Sequence, residues 1–167
     1  MEREAIFGSW RQANDKERLL QFVQPGLIGL IDGTISTLAP IFAAAYISGS
    51  RAALLIGLAA ALGAAISMGL SEGLSDDGEL TGRGTSLARG LITGTATFLG
   101  GSMHALPFLI DDVHKALAVA YVVVSFELVA IALVRKRYLQ VSLTQSLIQV
   151  TLGGTIVAGV GIAVGHA

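Results

Sequence analysis

Asp32 stands in an otherwise uncharged run from Pro25 to Ile47, PGLIGLIDGTISTLAPIFAAAYI. At roughly 1.5 Å rise per residue the run reaches about 34 Å, enough to cover a hydrocarbon core of roughly 30 Å. A carboxylate at such a depth is expensive and marks a place where an ion or a proton is met. Met68, Glu72 and Asp76 follow in ISMGLSEGLSDDGEL at i, i+4 and i+8, and so share one helical face. Carboxylates combined with a thioether suit Fe²⁺ or Mn²⁺ better than Na⁺ or Mg²⁺, which have no use for sulfur. Met is also a common filler of gaps between helices. Asp32, Met68 and Glu72 are therefore the candidate metal ligands, with Ser36, Asp76, Glu127 and His104 as candidate accessory groups.

The elements that must hold these groups are written in the composition. The chain has 167 residues, a mean hydropathy of +0.70, 53% hydrophobic and 14% charged residues, and 21 glycines, which describes an integral membrane protein rather than a soluble domain. After the first run come Ala52 to Leu70, Gly90 to Ile110 broken only by His104, Ala116 to Val134 broken only by Glu127, and Val141 to Val164. These are long and do not alternate strictly, so helices are expected and barrel strands are not. The expected fold is an all-α integral membrane protein of five transmembrane helices, at about 25–47, 52–74, 90–110, 116–134 and 141–164. Residues 1–24 form a cytoplasmic amphipathic leader in this reading, with Trp10, Leu19, Leu20, Phe22 and Val23 set among charges, and 25–167 the transport domain. The leader lacks the apolar stretch of a cleavable signal peptide. There is no cysteine, so disulfides and thiolate metal sites are excluded.

Basic residues fix the orientation. Arg3, Arg11, Lys16, Arg18, Arg83, Arg89, Arg135, Lys136 and Arg137 fall in one alternating set of connections, and only Arg51 and Lys115 in the other. The positive-inside rule then gives an N-in, C-out protein. In that frame Asp32 lies about 10 Å from the cytoplasmic boundary and Glu127 about 12 Å, with Glu72 near the same layer. Gly29, Asp32, Gly33 and Ser36 share a face, and Gly29 with Gly33 is a small-xxx-small pair that admits a close helix. One subunit offers few ligands, so a two-fold homodimer with these glycines at its axis is expected to double them. Metal binding displaces protons from carboxyls, and exchange of the ion for H⁺ follows.

Other groups keep two readings. Glu127 pairs with a glutamine such as Gln145 or Gln149, or holds a proton. His104, roughly 22 Å outward of Arg89, is a release ligand, a proton acceptor or a hydrogen-bonded structural histidine. Asp111, Asp112 and His114 form an outer loop that is solvated or binds an emerging cation weakly. Gly153, Gly154, Gly159, Gly161 and Gly165 serve close helix packing rather than a nucleotide loop.

DGTIST at Asp32 to Thr37 and GAAISMGLSEGLS at Gly63 to Ser75 resemble the vacuolar iron transporter family. Within it, STLAP at Ser36 to Pro40, SDDGELTGRG at Ser75 to Gly84 and GGSMHALPFLI at Gly100 to Ile110 are most similar to the membrane domain of bacterial membrane-bound ferritins. The resemblance implies a homodimer with its metal path near the two-fold axis, lined by Asp32 and Met68, with Glu72 near the cytoplasmic mouth. It implies export of Fe²⁺, with Mn²⁺ as a second cargo, from the cytoplasm in exchange for protons, in a bacterial inner membrane. The chain departs from the plant-type proteins, whose long acidic insert is here a short Ser75–Arg89 loop with Asp76, Asp77 and Glu79. It also departs from the membrane-bound ferritins, since residues 1–24 hold no Glu-x-x-His pair and no ferritin-like domain. A ferritin-like partner is a candidate, but ferroxidase activity is not assigned. No catalytic residue, permanently bound cofactor or nucleic-acid contact is expected, and the chain is read as no enzyme. A different class stays open, a non-transporting membrane module that anchors or regulates an iron-handling partner. A proton-coupled carrier of small organic solutes is weaker, since the site lacks the aromatic or arginine groups such substrates need.

Overall fold

A computed structural model describes residues 14–75 and 81–167. From Asn14, the first described residue, a helix runs through a π-helical turn at Leu19–Val23 into α1, Gln24–Ser36. The helix is thus continuous across residue 24, where the leader was expected to end. Trp10 lies outside the described residues.

The first run is two helices rather than one. Pro40 has no N–H for the Ser36 carbonyl and its ring crowds that carbonyl, so the helix breaks at Thr37. α2 resumes at Leu38–Ser48 and ends on Gly49, whose φ of 83° lets α3, Ser50–Ser75, start at once in the opposite direction. α4 is Ser86–Met103, capped by the Thr85 hydroxyl, which accepts from the Ala88 N–H at 3.4 Å. It stops at His104, and Pro107 sits in a 3₁₀ turn at Leu106–Leu109. The third span expected over 90–110 is thus a shorter helix, begun four residues earlier and ended by a turn. α5, Val113–Leu139, is capped by Asp112, whose Oδ1 accepts from the His114 and Lys115 N–H groups at 3.0 and 3.2 Å. Gln140, at φ 56°, ends α5, and α6 is Leu143–Gly165, capped by Ser142.

Among the described residues, four helical stretches are long and apolar enough to cross a bilayer: Asn14–Ser48, Ser50–Ser75, Val113–Leu139 and Leu143–Gly165. α4 falls short because it carries Arg89 and the threonines 93, 95 and 97. It is nonetheless the centre of the bundle. Arg89, Thr93, Thr97, Gly100, Gly101 and Ser102 of this helix are all buried.

Large apolar side chains cover the outside of the bundle, and several polar and charged groups are buried within it. Leu55, Leu62, Ile66, Leu70, Val122, Phe126, Leu152 and Ile156 are exposed, while Arg89, His104, Glu127, Thr34 and Thr37 are buried. That inversion belongs to a protein whose solvent is lipid, and an integral membrane assignment follows. An apolar core of Leu38, Ile41, Phe42, Phe108, Val124, Leu128 and Ile131 holds α2, α5 and the 3₁₀ turn together.

Candidate functional site

α1 and α3 both pack on α4 through glycine. A Cβ on Gly29 would meet the Thr93 carbonyl oxygen at 2.2 Å, and one on Gly33 the Thr97 carbonyl oxygen at 2.1 Å. Across α4, Gly90 and Gly94 meet Gly69, Gly73 and Ala65 of α3. The Thr93 hydroxyl donates to the Pro25 carbonyl at 3.2 Å, fastening the start of α1. The close crossing expected at Gly29 and Gly33 exists, but its partner is α4 of the same chain. A two-fold axis at these glycines is thereby corrected: the space that a second subunit would need is already filled by backbone.

Asp32 is half-buried and makes no hydrogen bond or ion pair with a described residue. Ser36, one turn on, is exposed. Met68 is half-buried on α3. Asp76 lies outside the described residues. Among those described, no group of three or more His, Cys, Asp or Glu side chains comes together as a metal site.

Glu72 has a partner that sequence reading assigned elsewhere. Its carboxylate forms an ion pair with the Arg89 guanidinium, which is 1% exposed. Arg89 was expected to be a loop cation that orients the chain. The signal that places it inside was present in the sequence: Thr85 followed by Ser-Leu-Ala is an N-cap, and it begins the helix before Arg89. Any cation captured by Glu72 must compete with a guanidinium already in place.

Glu127 and His104 meet. His104 Nδ1 lies 2.9 Å from Glu127 Oε2, and Nε2 lies 2.8 Å from the Thr37 hydroxyl, all three residues being buried. Thr37 Oγ1 in turn donates to the Gly33 carbonyl at 2.8 Å. Both ring nitrogens of His104 are thus engaged by protein, while Glu127 Oε1 has no partner among the described residues. Glu127 does not pair with Gln145 or Gln149; Gln149 instead accepts from Arg135 at 2.7 Å. Nor does Glu127 share a layer with Glu72. α5 extends to Leu139, beyond the basic cluster from which depth was counted, and Glu127 falls beside the midpoint of that helix. Thr37 was missed as a site residue, although Pro40 three residues on announces the break that turns its side chain into a link.

In the outer loop Asp112 is a helix cap, not a loose cation binder. The backbone N–H of Lys115, with further help from the Lys115 side chain and the His114 N–H, holds its carboxyl below the usual carboxylate range. The glycines of α6 do serve close packing: a Cβ on Gly161 would meet the Ala39 carbonyl oxygen at 2.5 Å.

The fold and its buried ionisable groups define a polytopic all-α membrane protein. Compared with family models, with curated proteins and with solved structures, the chain matches none.

Proposed function

We propose that the chain exports Fe²⁺, with Mn²⁺ as a second cargo, from the cytoplasm across a bacterial inner membrane in exchange for protons. One observation carries the reading. Glu72 and Glu127 are each matched by a basic group, Arg89 and His104, whereas Asp32, also within an apolar span, has no partner among the described residues. An intramembrane carboxylate that the chain itself does not satisfy calls for a cation from outside the chain. The resemblance of Asp32–Thr37 and Gly63–Ser75 to vacuolar iron transporters supplies the ion class.

In this account Asp32 and Met68 are the ligands, and α4 is the fifth span despite its polarity, because its polar side faces protein rather than lipid. A homodimer supplies the second set of ligands through a surface other than the Gly29 and Gly33 face. α3, whose apolar side chains Leu55, Leu62, Ile66 and Leu70 are exposed, is the surface we assign to it. Glu72 contributes when an arriving dication draws it from Arg89, which makes the ion pair a resting state of the cytoplasmic mouth. No enzymatic step is invoked.

The module reading has an observation in its favour: Glu72–Arg89 and Glu127–His104 are interhelical pairs of the kind that hold a bundle together. Asp32 separates the two readings. Reconstituted in liposomes, the wild type is expected to pass Fe²⁺ and Mn²⁺, and Met68→Leu to lose more Fe²⁺ flux than Mn²⁺ flux because the softer ion loses the softer ligand. A folded protein that binds Fe²⁺ but passes no ion supports the module.

A further inference from the structure

We infer that Thr37, His104 and Glu127 form a buried site for one exchangeable proton, and that the Thr37 hydroxyl reports the state of that site to the helix break beside Asp32. The inference follows from counting donors and acceptors. Thr37 has a single hydroxyl hydrogen within reach of both the Gly33 carbonyl and His104 Nε2, and in one arrangement it goes to the Gly33 carbonyl. Its contact with His104 Nε2 can then be filled only by an Nε2–H that donates to Thr37 Oγ1. With Nε2 protonated, the 2.9 Å contact between Nδ1 and Glu127 Oε2 needs one further proton, carried by either atom. That arrangement holds two protons on the histidine–carboxyl pair.

Loss of one proton leaves one arrangement that keeps every contact. Nδ1–H donates to the Glu127 carboxylate, and Nε2 becomes a lone pair. The Thr37 hydroxyl must turn its hydrogen from Gly33 to Nε2. The proton that leaves is the one carried by Nε2, and the charge of the pair falls by one. The Gly33 carbonyl then loses the hydrogen of the Thr37 hydroxyl. A proton lost from His104 thus changes the hydrogen bonding of the residue next to Asp32. Threonine can serve both states since a hydroxyl accepts and donates at once. Glu127 Oε1 has no partner among the described residues, so the second oxygen of the acid does not pin the pair in one state.

Other ionisable side chains on the elements packed around the site are engaged elsewhere or set apart along their helices. α2 carries Tyr46, whose hydroxyl meets that of Tyr121 on α5 at 3.4 Å. α3 and α4 carry the Glu72–Arg89 pair, and α3 also Arg51 at its outer end. At the ends of α5, Lys115 pairs with Asp112 and Arg135 donates to Gln149, while His114, Lys136, Arg137 and Tyr138 lie in its first and last turns. α6 carries none from Leu143 to Gly165, and α1 carries only Asp32.

That the site serves transport rests on the proton-exchange reading; its chemistry does not. The test uses the full chain with ¹⁵N-labelled histidine in nanodiscs, with the three histidines told apart by His114→Asn and His166→Asn. Across the pH range over which the protein stays folded, His104 Nε2 is expected to pass from protonated to bare while Nδ1 keeps its hydrogen. Thr37→Ser keeps that switch, and Thr37→Val and Glu127→Gln lose it. A His104 that holds one tautomer throughout in the wild type, or a Thr37→Val protein that switches as the wild type does, overturns the inference. In liposomes Glu127→Gln is expected to lose the response of Fe²⁺ flux to an imposed pH gradient while keeping flux down the metal gradient. If His104 switches but the wild type passes no Fe²⁺, the proton site stands and the transport reading falls. If Fe²⁺ flux follows the pH gradient while His104 is fixed, transport stands and this site is not its proton carrier.

Discussion

Adding one methyl group at Gly33 should drive α1 and α4 apart. The new Cβ would sit 2.1 Å from the Thr97 carbonyl oxygen, 2.8 Å from its carbon and 2.9 Å from the Gly101 nitrogen, all of them backbone atoms. Ordinary contact begins near 3.4 Å, so the helices must separate by about 1.3 Å, the difference between that limit and 2.1 Å. No side chain can rotate away to absorb this. Overpacking of that kind costs about 1–3 kcal/mol, and alanine's better helix propensity offsets less than about 1 kcal/mol of it. Gly63→Ala is the control, since a Cβ there meets nothing within 4 Å. Thermal unfolding of purified protein in one detergent should rank Gly63→Ala at or above the wild type and Gly33→Ala clearly below it. The loss should occur in the monomer as well as in any oligomer, because the partner helix belongs to the same chain. Gly33→Ala with wild-type stability would falsify the α1–α4 crossing, and a loss confined to the oligomer would restore the glycine axis that the fold displaces.

Arg89→Gln should destabilise by about 3–5 kcal/mol, since it strands the Glu72 carboxylate, and Glu72→Gln by less, since Arg89 has a further interaction. The double variant should cost less than their sum by about 0.5–3 kcal/mol, and additive unfolding data would remove the pair. Asp112 has its folded pKa lowered by the N–H groups it caps, so its stabilisation is present above the unfolded value of about 3.9 and lost as pH falls through the lower folded value. Asn can still cap but does not titrate, so Asp112→Asn should flatten that acid-side loss in hydrogen exchange of the first α5 turn; an unchanged pH profile refutes the assignment. For topology, the eight-to-two division of basic residues left once Arg89 is placed in the bundle predicts residues 1–20 and the connection from α5 to α6 in the cytoplasm and Ala167 outside. A C-terminal reporter scored as cytoplasmic excludes an odd number of spans.

The helices were legible in the sequence because apolar length is nearly all that lipid demands of them. Their ends were legible only where a specific residue speaks, as Pro40, Gly49, Asp112 and Ser142 do. The polar interior was harder. Periodicity says that Gly29 and Gly33 share a face but not which helix fills it, and the partner, α4, is the helix whose threonines and Arg89 make it least like a span. Arg89 was one residue outside the apolar run, and charge counting placed it in a loop that the Thr85 cap had already closed. His104 and Glu127 come from helices joined by a turn whose length periodicity does not constrain, so each could be flagged as costly without being matched to the other. Asp32 was found from depth alone, and depth alone also leaves its partner to be discovered.

Proton movement opposite to Fe²⁺ is the most direct measure of the central claim. Liposomes reporting internal pH and metal together should show Fe²⁺ flux coupled to H⁺ counterflow in the wild type. Asp32→Asn keeps the size and hydrogen bonding of the side chain but removes its anion, and both signals should fall to background in protein that remains folded. Coupled Fe²⁺ and H⁺ movement in Asp32→Asn at the wild-type rate would contradict the account.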